Sequence, residues 1–183
     1  MANADVITLI EADHREVERL FASLKNEPET RLNVLPVLVG LLTAHSRAEE
    51  SEVYPVAISE AGETEEVAHS QEEHEEAEQM MERLQAMDPT TGEFETLLRE
   101  LTDAVLHHVE EEETKVLPGL REQLSTQRLT ELAEAFASAR KEHLGETPDE
   151  ITREELVQQA RNAGREGVSS MSREELKEQR GES

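Results

Sequence analysis

Four histidines and two glutamates recur in this chain at matched places, and residues of these types suit a metal held by nitrogen and oxygen. The stretch Asp13-His14-x-Glu16-x-Glu18 returns as Glu73-His74-x-Glu76-x-Glu78, each leading to a leucine at the same offset, Leu24 and Leu84. His45-x-x-x-Glu49-Glu50, running on to Pro55, returns without a gap as His108-x-x-x-Glu112-Glu113, running on to Pro118. Helical residues four apart share a face, so His45 with Glu49, and His108 with Glu112, can each converge on one point. His14 and His74 can meet them from two further helices. Counted as ligands, four imidazoles and two bridging carboxylates fill about eight positions around two octahedral ions, leaving roughly four for a bridging group and exogenous ligands. One zinc held by three or four of these histidines would leave the repeated carboxylates unexplained.

The elements that must position these groups are legible from apolar spacing. Val6, Ile10, Val17, Leu20, Phe21 and Leu24 follow the helical period, and His14 fills the gap between Ile10 and Val17. A second stripe, Leu38, Leu41, Leu42, Val53 and Val56, leaves His45, Glu49 and Glu52 on the same face. A third, after Gly62, sets Val67, Ala77, Met81 and Leu84 in register with His74. A fourth, opened by Thr90 or Thr91, sets Phe94, Leu97, Leu98, Leu101 and Val105 in register with His108 and Glu112. Pro28 suits a helix start, Pro36 a start or a kink, and Pro55 and Pro118 are expected to stop the second and fourth helices. Short links make an up-down-up-down four-helix bundle the expected all-α fold, with a fifth helix around Leu129, Leu132, Ala133 and Phe136 capping its open side. Unpaired burial of an ionisable group costs several kcal/mol, so polar residues on all four core faces call for mutual neutralisation, and metal is the simplest agent.

Composition bounds the rest. The 183 residues carry 43 acidic and 18 basic side chains, a net charge of −25, which repels phosphate backbones and anionic lipid and argues against a nucleic-acid partner. Absence of cysteine excludes disulfides, thiolate metal sites and thiol catalysis. The N-terminus lacks a basic start with an apolar run, and no segment approaches the roughly 20 apolar residues of a membrane span, so a cytoplasmic protein is expected.

Residues 5–120 resemble the hemerythrin, or HHE cation-binding, family. In that family a lone histidine on the first and third helices, with His-x-x-x-Glu on the second and fourth, supplies a di-iron site. The resemblance therefore implies His14, His45, Glu49, His74, His108 and Glu112 as ligands of two oxo- or hydroxo-bridged irons, with manganese or zinc as substitutes. It also implies a diatomic or peroxide ligand: an enzyme consuming peroxide or reacting with nitric oxide, or a non-enzymatic oxygen, redox or iron sensor or oxygen-binding protein. Oxygen-carrying members have a second histidine one turn away on the third helix, where Ser70 and Glu78 flank His74 here. That departure points to redox, sensing or iron-handling roles ahead of reversible oxygen storage. A ferritin-like oxidase would need Glu-x-x-His on two helices; Glu11-x-x-His14 and Glu66-x-x-His69 have that spelling, but His69 lies off the core stripe.

His69 and His107 are expected at the surface, and His143 at a helix end. Glu18, Glu78, Glu50 and Glu113 recur beside the ligands and are candidates to accept imidazole N–H bonds, with exposed charge the default for each. Tyr54, the only tyrosine, is expected to pack in the core and is a candidate to donate a hydrogen bond or proton to a bound oxygen species. Residues 1–144 are expected to form the bundle with its capping helix and 145–183 a separate tail. Thr152-x-Glu154-Glu155-Leu156 and Met171-Ser172-x-Glu174-Glu175-Leu176 in that tail resemble the small N-terminal module of transcription termination factor Rho. The tail is expected to be loosely packed or partly disordered, with docking to a protein partner or a weak nucleic-acid contact as its candidate roles.

Overall fold

The computed structural model describes residues 4–181. Helix α1 (Val6–Asn26) starts where the Asp5 carboxylate accepts the Thr8 N–H at 2.8 Å, and α2 (Arg31–Ala48) follows a single 3-10 turn at Pro28–Thr30. The chain continues as a wide π-type turn (Glu49–Val53), the short α3 (Tyr54–Val56) and a second wide turn (Ala57–Ala61). It breaks at Gly62, whose φ of 76° is the left-handed conformation glycine adopts without strain. Helices α4 (Thr64–Gln85) and α5 (Gly92–Glu111) complete the bundle, α5 being capped by Thr91, whose hydroxyl accepts the Phe94 N–H at 3.2 Å. A third wide turn (Glu112–Val116) leads into α6 (Leu117–Gln123), and α7 (Thr126–Glu142) packs on α1 and α2 as the expected capping helix.

Two proline expectations are revised, since Pro55 and Pro118 do not stop their helices. Pro36 lies inside α2 and not at its start. Proline lacks the N–H for the usual bond and crowds the carbonyl four residues back. Before Pro55 and Pro118 the backbone widens, so that the Tyr54 and Leu117 N–H groups reach five residues back to the Glu49 and Glu112 carbonyls. The chain then runs on helically through both prolines. Such single wide turns inside helices often occur at functional positions, and here the two that precede these prolines begin on the candidate ligands Glu49 and Glu112.

Two apolar clusters lie along the bundle with the polar residues between them. One contains Leu20, Phe21, Leu38, Leu84, Phe94 and Leu101; the other contains Ile7, Ile10, Val53, Val67, Leu120 and Phe136. Burial of each such side chain contributes about 1.5–3 kcal/mol, so the surrounding core can hold charged groups in an interior they would not enter alone.

The tail is ordered over its described length, contrary to the loose packing expected. Helices α8 (Arg153–Asn162) and α9 (Arg173–Gln179) each begin in a capping box, at Thr152 with Glu155 and at Ser172 with Glu175. They bury Ile151, Leu156, Val157, Ala160, Val168 and Leu176 in a cluster of their own. The unit meets α4 and the first wide turn through polar side chains.

Candidate metal centre

The first and third wide turns each begin at a glutamate whose histidine lies one helical turn earlier, so His45 with Glu49 and His108 with Glu112 point into the bundle axis from α2 and α5. His14 of α1 and His74 of α4 face them, and all six are buried. The Nε2 atoms point inward. His14 Nε2 stands 3.3 Å from Glu112 Oε2, and His45 Nε2 stands 3.2 Å from Glu49 Oε1. His74 Nε2 lies 3.5 Å from Glu49 Oε2 and 3.1 Å from His108 Nε2, which is itself 3.8 Å from Glu112 Oε2. Glu49 thus presents one oxygen to His45 and the other to His74, as a carboxylate bridging two ions would. The ligand atoms fall into two overlapping groups, His14–His45–Glu49–Glu112 and Glu49–His74–His108.

These atoms fit a metal. His14 Nε2, His45 Nε2, both Glu49 oxygens and Glu112 Oε2 are buried without a hydrogen-bond partner. Native interiors seldom leave buried polar atoms unsatisfied, because each costs about 1–3 kcal/mol, and five converging on one volume form a donor set suited to divalent cations with nitrogen and oxygen preference.

The outward Nδ1 atoms are all occupied. His45 Nδ1 donates to Asp13 (3.1 Å), His14 to Glu113 (2.9 Å), His74 to Glu50 (3.1 Å) and His108 to Glu73 (2.9 Å). A carboxylate on Nδ1 fixes the tautomer with its Nε2 lone pair free and raises that nitrogen's basicity, the usual support of a metal-bound histidine. The pattern repeats with the sequence. The acid before each lone histidine holds the other histidine of its own unit, and the acid after each Glu49-type glutamate holds the lone histidine of the opposite unit. Of the four recurring acids singled out from sequence, Glu50 and Glu113 take this role. Glu78 is buried instead against Arg47 and Arg180, and Glu18 pairs at the surface with Arg15 (3.0 Å). Asp13 and Glu73 lie outside those four candidates, although each is the acidic residue of a repeated acidic-His step.

The supports are themselves held. Arg140 of α7 clamps Asp13 with two bonds of 2.6 and 2.7 Å, and the Phe136 ring stands edge-on to His45. Arg15 pairs with Glu113. Glu50 accepts from Arg47 (3.2 Å), Gln71 (3.0 Å) and Gln159 (3.0 and 3.2 Å).

Burial opposes charge throughout the site, yet the opposite charges overcome it. Burial lowers His45, but Glu49 and Asp13 raise it to about 10; His14 and His74 are also raised against burial, by Glu112 and Glu50 respectively. Burial raises Glu50, but His74 and Arg47 bring it down to about 2, and His14 and His108 likewise hold Glu112 well below the usual carboxylate range.

Tyr54 comes off the first wide turn fully buried, its hydroxyl 3.1 Å from His74 Nε2 and 3.4 Å from Glu112 Oε1. Burial, with the nearby glutamate charges, pushes this phenol well above its ordinary value, so it remains a proton donor. Beside the imidazoles lies a small cavity of about 20 Å³, walled by Val17, Leu42, Met81, Val105 and Val109. His69 and His107 stand on the surface beside Glu111, away from the centre, as their off-stripe positions predict. His143 caps the end of α7, with Nδ1 2.8 Å from Glu146. Among the described residues no helix is long and apolar enough to cross a membrane.

Similarity to known proteins follows the same residues. The family profile of the hemerythrin HHE cation binding domain matches residues 5–120. A DNA nickase of Nostoc sp. is 32% identical over 134 residues, 72% of this chain and 38% of its own length. A hemerythrin-like protein of Schizosaccharomyces pombe is 29% identical over 133 residues, 70% of this chain and 66% of its own. The chain thus spans less than two thirds of either relative. The crystal structure of a hemerythrin HHE cation binding domain-containing protein from Mycobacterium kansasii superposes with a TM-score of 0.69 at 20% identity, covering 90% of this chain and 97% of that one, and so shares the fold. With its profile match spanning both repeated units and every histidine of the centre, the chain belongs to the hemerythrin HHE cation-binding domain family.

Proposed function

We propose that His14, His45, Glu49, His74, His108 and Glu112 hold two iron ions and that the protein reacts with peroxide, dioxygen or nitric oxide in defence against oxidative or nitrosative stress. The observation that carries this reading is the convergence of five unpartnered buried ligand atoms inside a ring of four carboxylate-supported imidazoles. Two bound irons would supply redox and Lewis-acid chemistry toward small oxygen and nitrogen species. The chain's own residues supply the rest. Glu49 spans both ligand groups, the four outer carboxylates keep the imidazoles oriented, and the apolar cavity limits access to molecules near the size of water. Tyr54 holds its proton at a hydroxyl among the ligand atoms, where it can donate to a small oxygen ligand or join the ligand set itself.

Catalase-like turnover, two hydrogen peroxide giving two water and one dioxygen, is the enzymatic form of this reading. Its test is dioxygen release from peroxide by the iron-loaded chain. Sustained release that disappears in His74→Ala supports it; reversible ligand spectra or metal-linked stabilisation without turnover would replace it with a sensor or oxygen-binding role on the same site. DNA cleavage, which the name of the Nostoc relative raises, is disfavoured by the −25 charge, since binding to a phosphate backbone draws on clustered cations.

A further inference from the structure

The tail reaches the metal centre through a single carboxylate. Glu50 is the residue that orients His74, by accepting its Nδ1–H, and three side chains of the bundle and the tail converge on its oxygens. Gln159 of α8, fully buried, donates to both Glu50 oxygens at 3.0 and 3.2 Å. The direction of that amide is fixed from behind, because Arg180 Nη1 donates to Gln159 Oε1 at 2.8 Å, leaving only the amide nitrogen to face the acids. Asn162, one turn further along α8, donates to the Glu50 carbonyl (2.9 Å) and to Gln71 Oε1 (3.1 Å), which turns the Gln71 amide nitrogen onto Glu50. Arg180 also pairs with Glu78 at 2.7 Å and Arg165 with Glu75 at 2.7 and 2.9 Å, so the tail is seated by charge on two further buried acids of the bundle.

We propose that Gln159 is a positioning residue for the metal centre: held by Arg180, it fixes Glu50 and through Glu50 the ring of His74, making the C-terminal segment a built-in support of one of the two metal positions. This rests on the di-metal reading for its consequence, but the chain of contacts from Gln159 to His74 stands without metal. His45 provides the contrast, since its support comes from Asp13 of α1 and Arg140 of α7, both outside the tail. A support of this kind typically changes metal affinity about 10- to 100-fold when removed. The segment thereby gives the two otherwise repeated halves of the site different holds on their ions.

The test uses the 183-residue chain in two forms. In the metal-free protein, imidazole ¹⁵N–¹H spectra read each Nδ1–H directly. Gln159→Leu should shift the His74 Nδ1–H or speed its exchange with water while leaving that of His45 in place. Gln159→Glu, which keeps the size and the Arg180 contact but turns a charge on Glu50, should move the same signal and serves if the leucine variant does not fold. In protein loaded anaerobically with Fe²⁺, one of two equivalents should pass to a chelator about 10-fold faster in these variants and the other at the wild-type rate. An unmoved His74 signal, or equal changes at His45 and His74, would overturn the proposal. A wild-type chain that takes up no Fe²⁺ while Gln159→Leu still moves His74 selectively would instead overturn the di-metal reading and leave the positioning contact standing.

Discussion

The two halves of the site are built from the same motif and supported by different means. His45, in the first half, leans on Asp13, which Arg140 of the capping helix clamps with two short bonds. Its counterpart His108 leans on Glu73, whose neighbour at the surface is His69 at 3.5 Å. His14 leans on Glu113, partnered by Arg15, and its counterpart His74 on Glu50, buried under Arg47 and the tail. The repeat therefore sets the inner geometry, in which four Nε2 atoms and two carboxylates face one another. The non-repeated segments, α7 and the tail, add contacts to the supports of His45 and His74 alone among the described contacts. A duplicated fold can in this way present two near-equivalent metal positions and still hold them unequally.

The largest effect should come from removing the residue the two halves share. Glu49→Ala deletes oxygens that face His45 on one side and His74 on the other; metal content should fall from two ions to fewer than one per chain by elemental analysis, with the metal-dependent rise in melting temperature lost. Retention of two ions would mean that Glu49 does not bridge. Next, chelator treatment of the loaded protein should lower its melting temperature, since stripping the ions leaves the five ligand atoms buried and unpaired. An unchanged melting curve would make the centre irrelevant to stability.

Smaller effects should separate the halves. Arg140→Ala releases Asp13 and should weaken metal binding about 10- to 100-fold at the position that His45 serves. Glu73→Gln, whose carboxylate has no arginine clamp among the contacts of the described residues, should act at the His108 position, and by the smaller factor. Competition with a coloured chelator measures both, and equal losses would show that the arginine clamp contributes nothing. Smallest for binding is Tyr54→Phe, which removes one hydroxyl from the edge of the ligand set. Both ions should remain, with dioxygen release from peroxide lowered about 100-fold or more if the phenol donates a proton there. Unchanged release would remove Tyr54 from the chemistry.

Much of this was legible in the sequence because burial and repetition constrain each other. A histidine at position 14 in an otherwise apolar stripe, answered by His74 at the same place in a second unit, leaves little freedom in where the side chain points. Glu49 and Glu112 were readable for the same reason. The outer residues were harder. Asp13 and Glu73 lie next to core histidines yet reach across to a neighbouring helix, and spacing along one helix carries no record of such a contact. Arg140 and Gln159 are single residues far along the chain, without a repeated partner to mark them. The tail misled by composition: its charged residues read as solvated, whereas Arg165 and Arg180 are paired with buried acids of the bundle. Pro55 and Pro118 read as stops because an ordinary helical turn cannot accommodate them, and only the wide turn preceding each lets the helix continue.

The most direct measurement is the metal content of the 183-residue chain after expression in iron-sufficient medium, together with X-ray absorption at the iron edge. The account predicts close to two irons per chain, nitrogen and oxygen neighbours only, and a metal–metal scattering contribution from two ions sharing Glu49. A stably folded chain with no metal, or with a single zinc and no iron uptake, would contradict it.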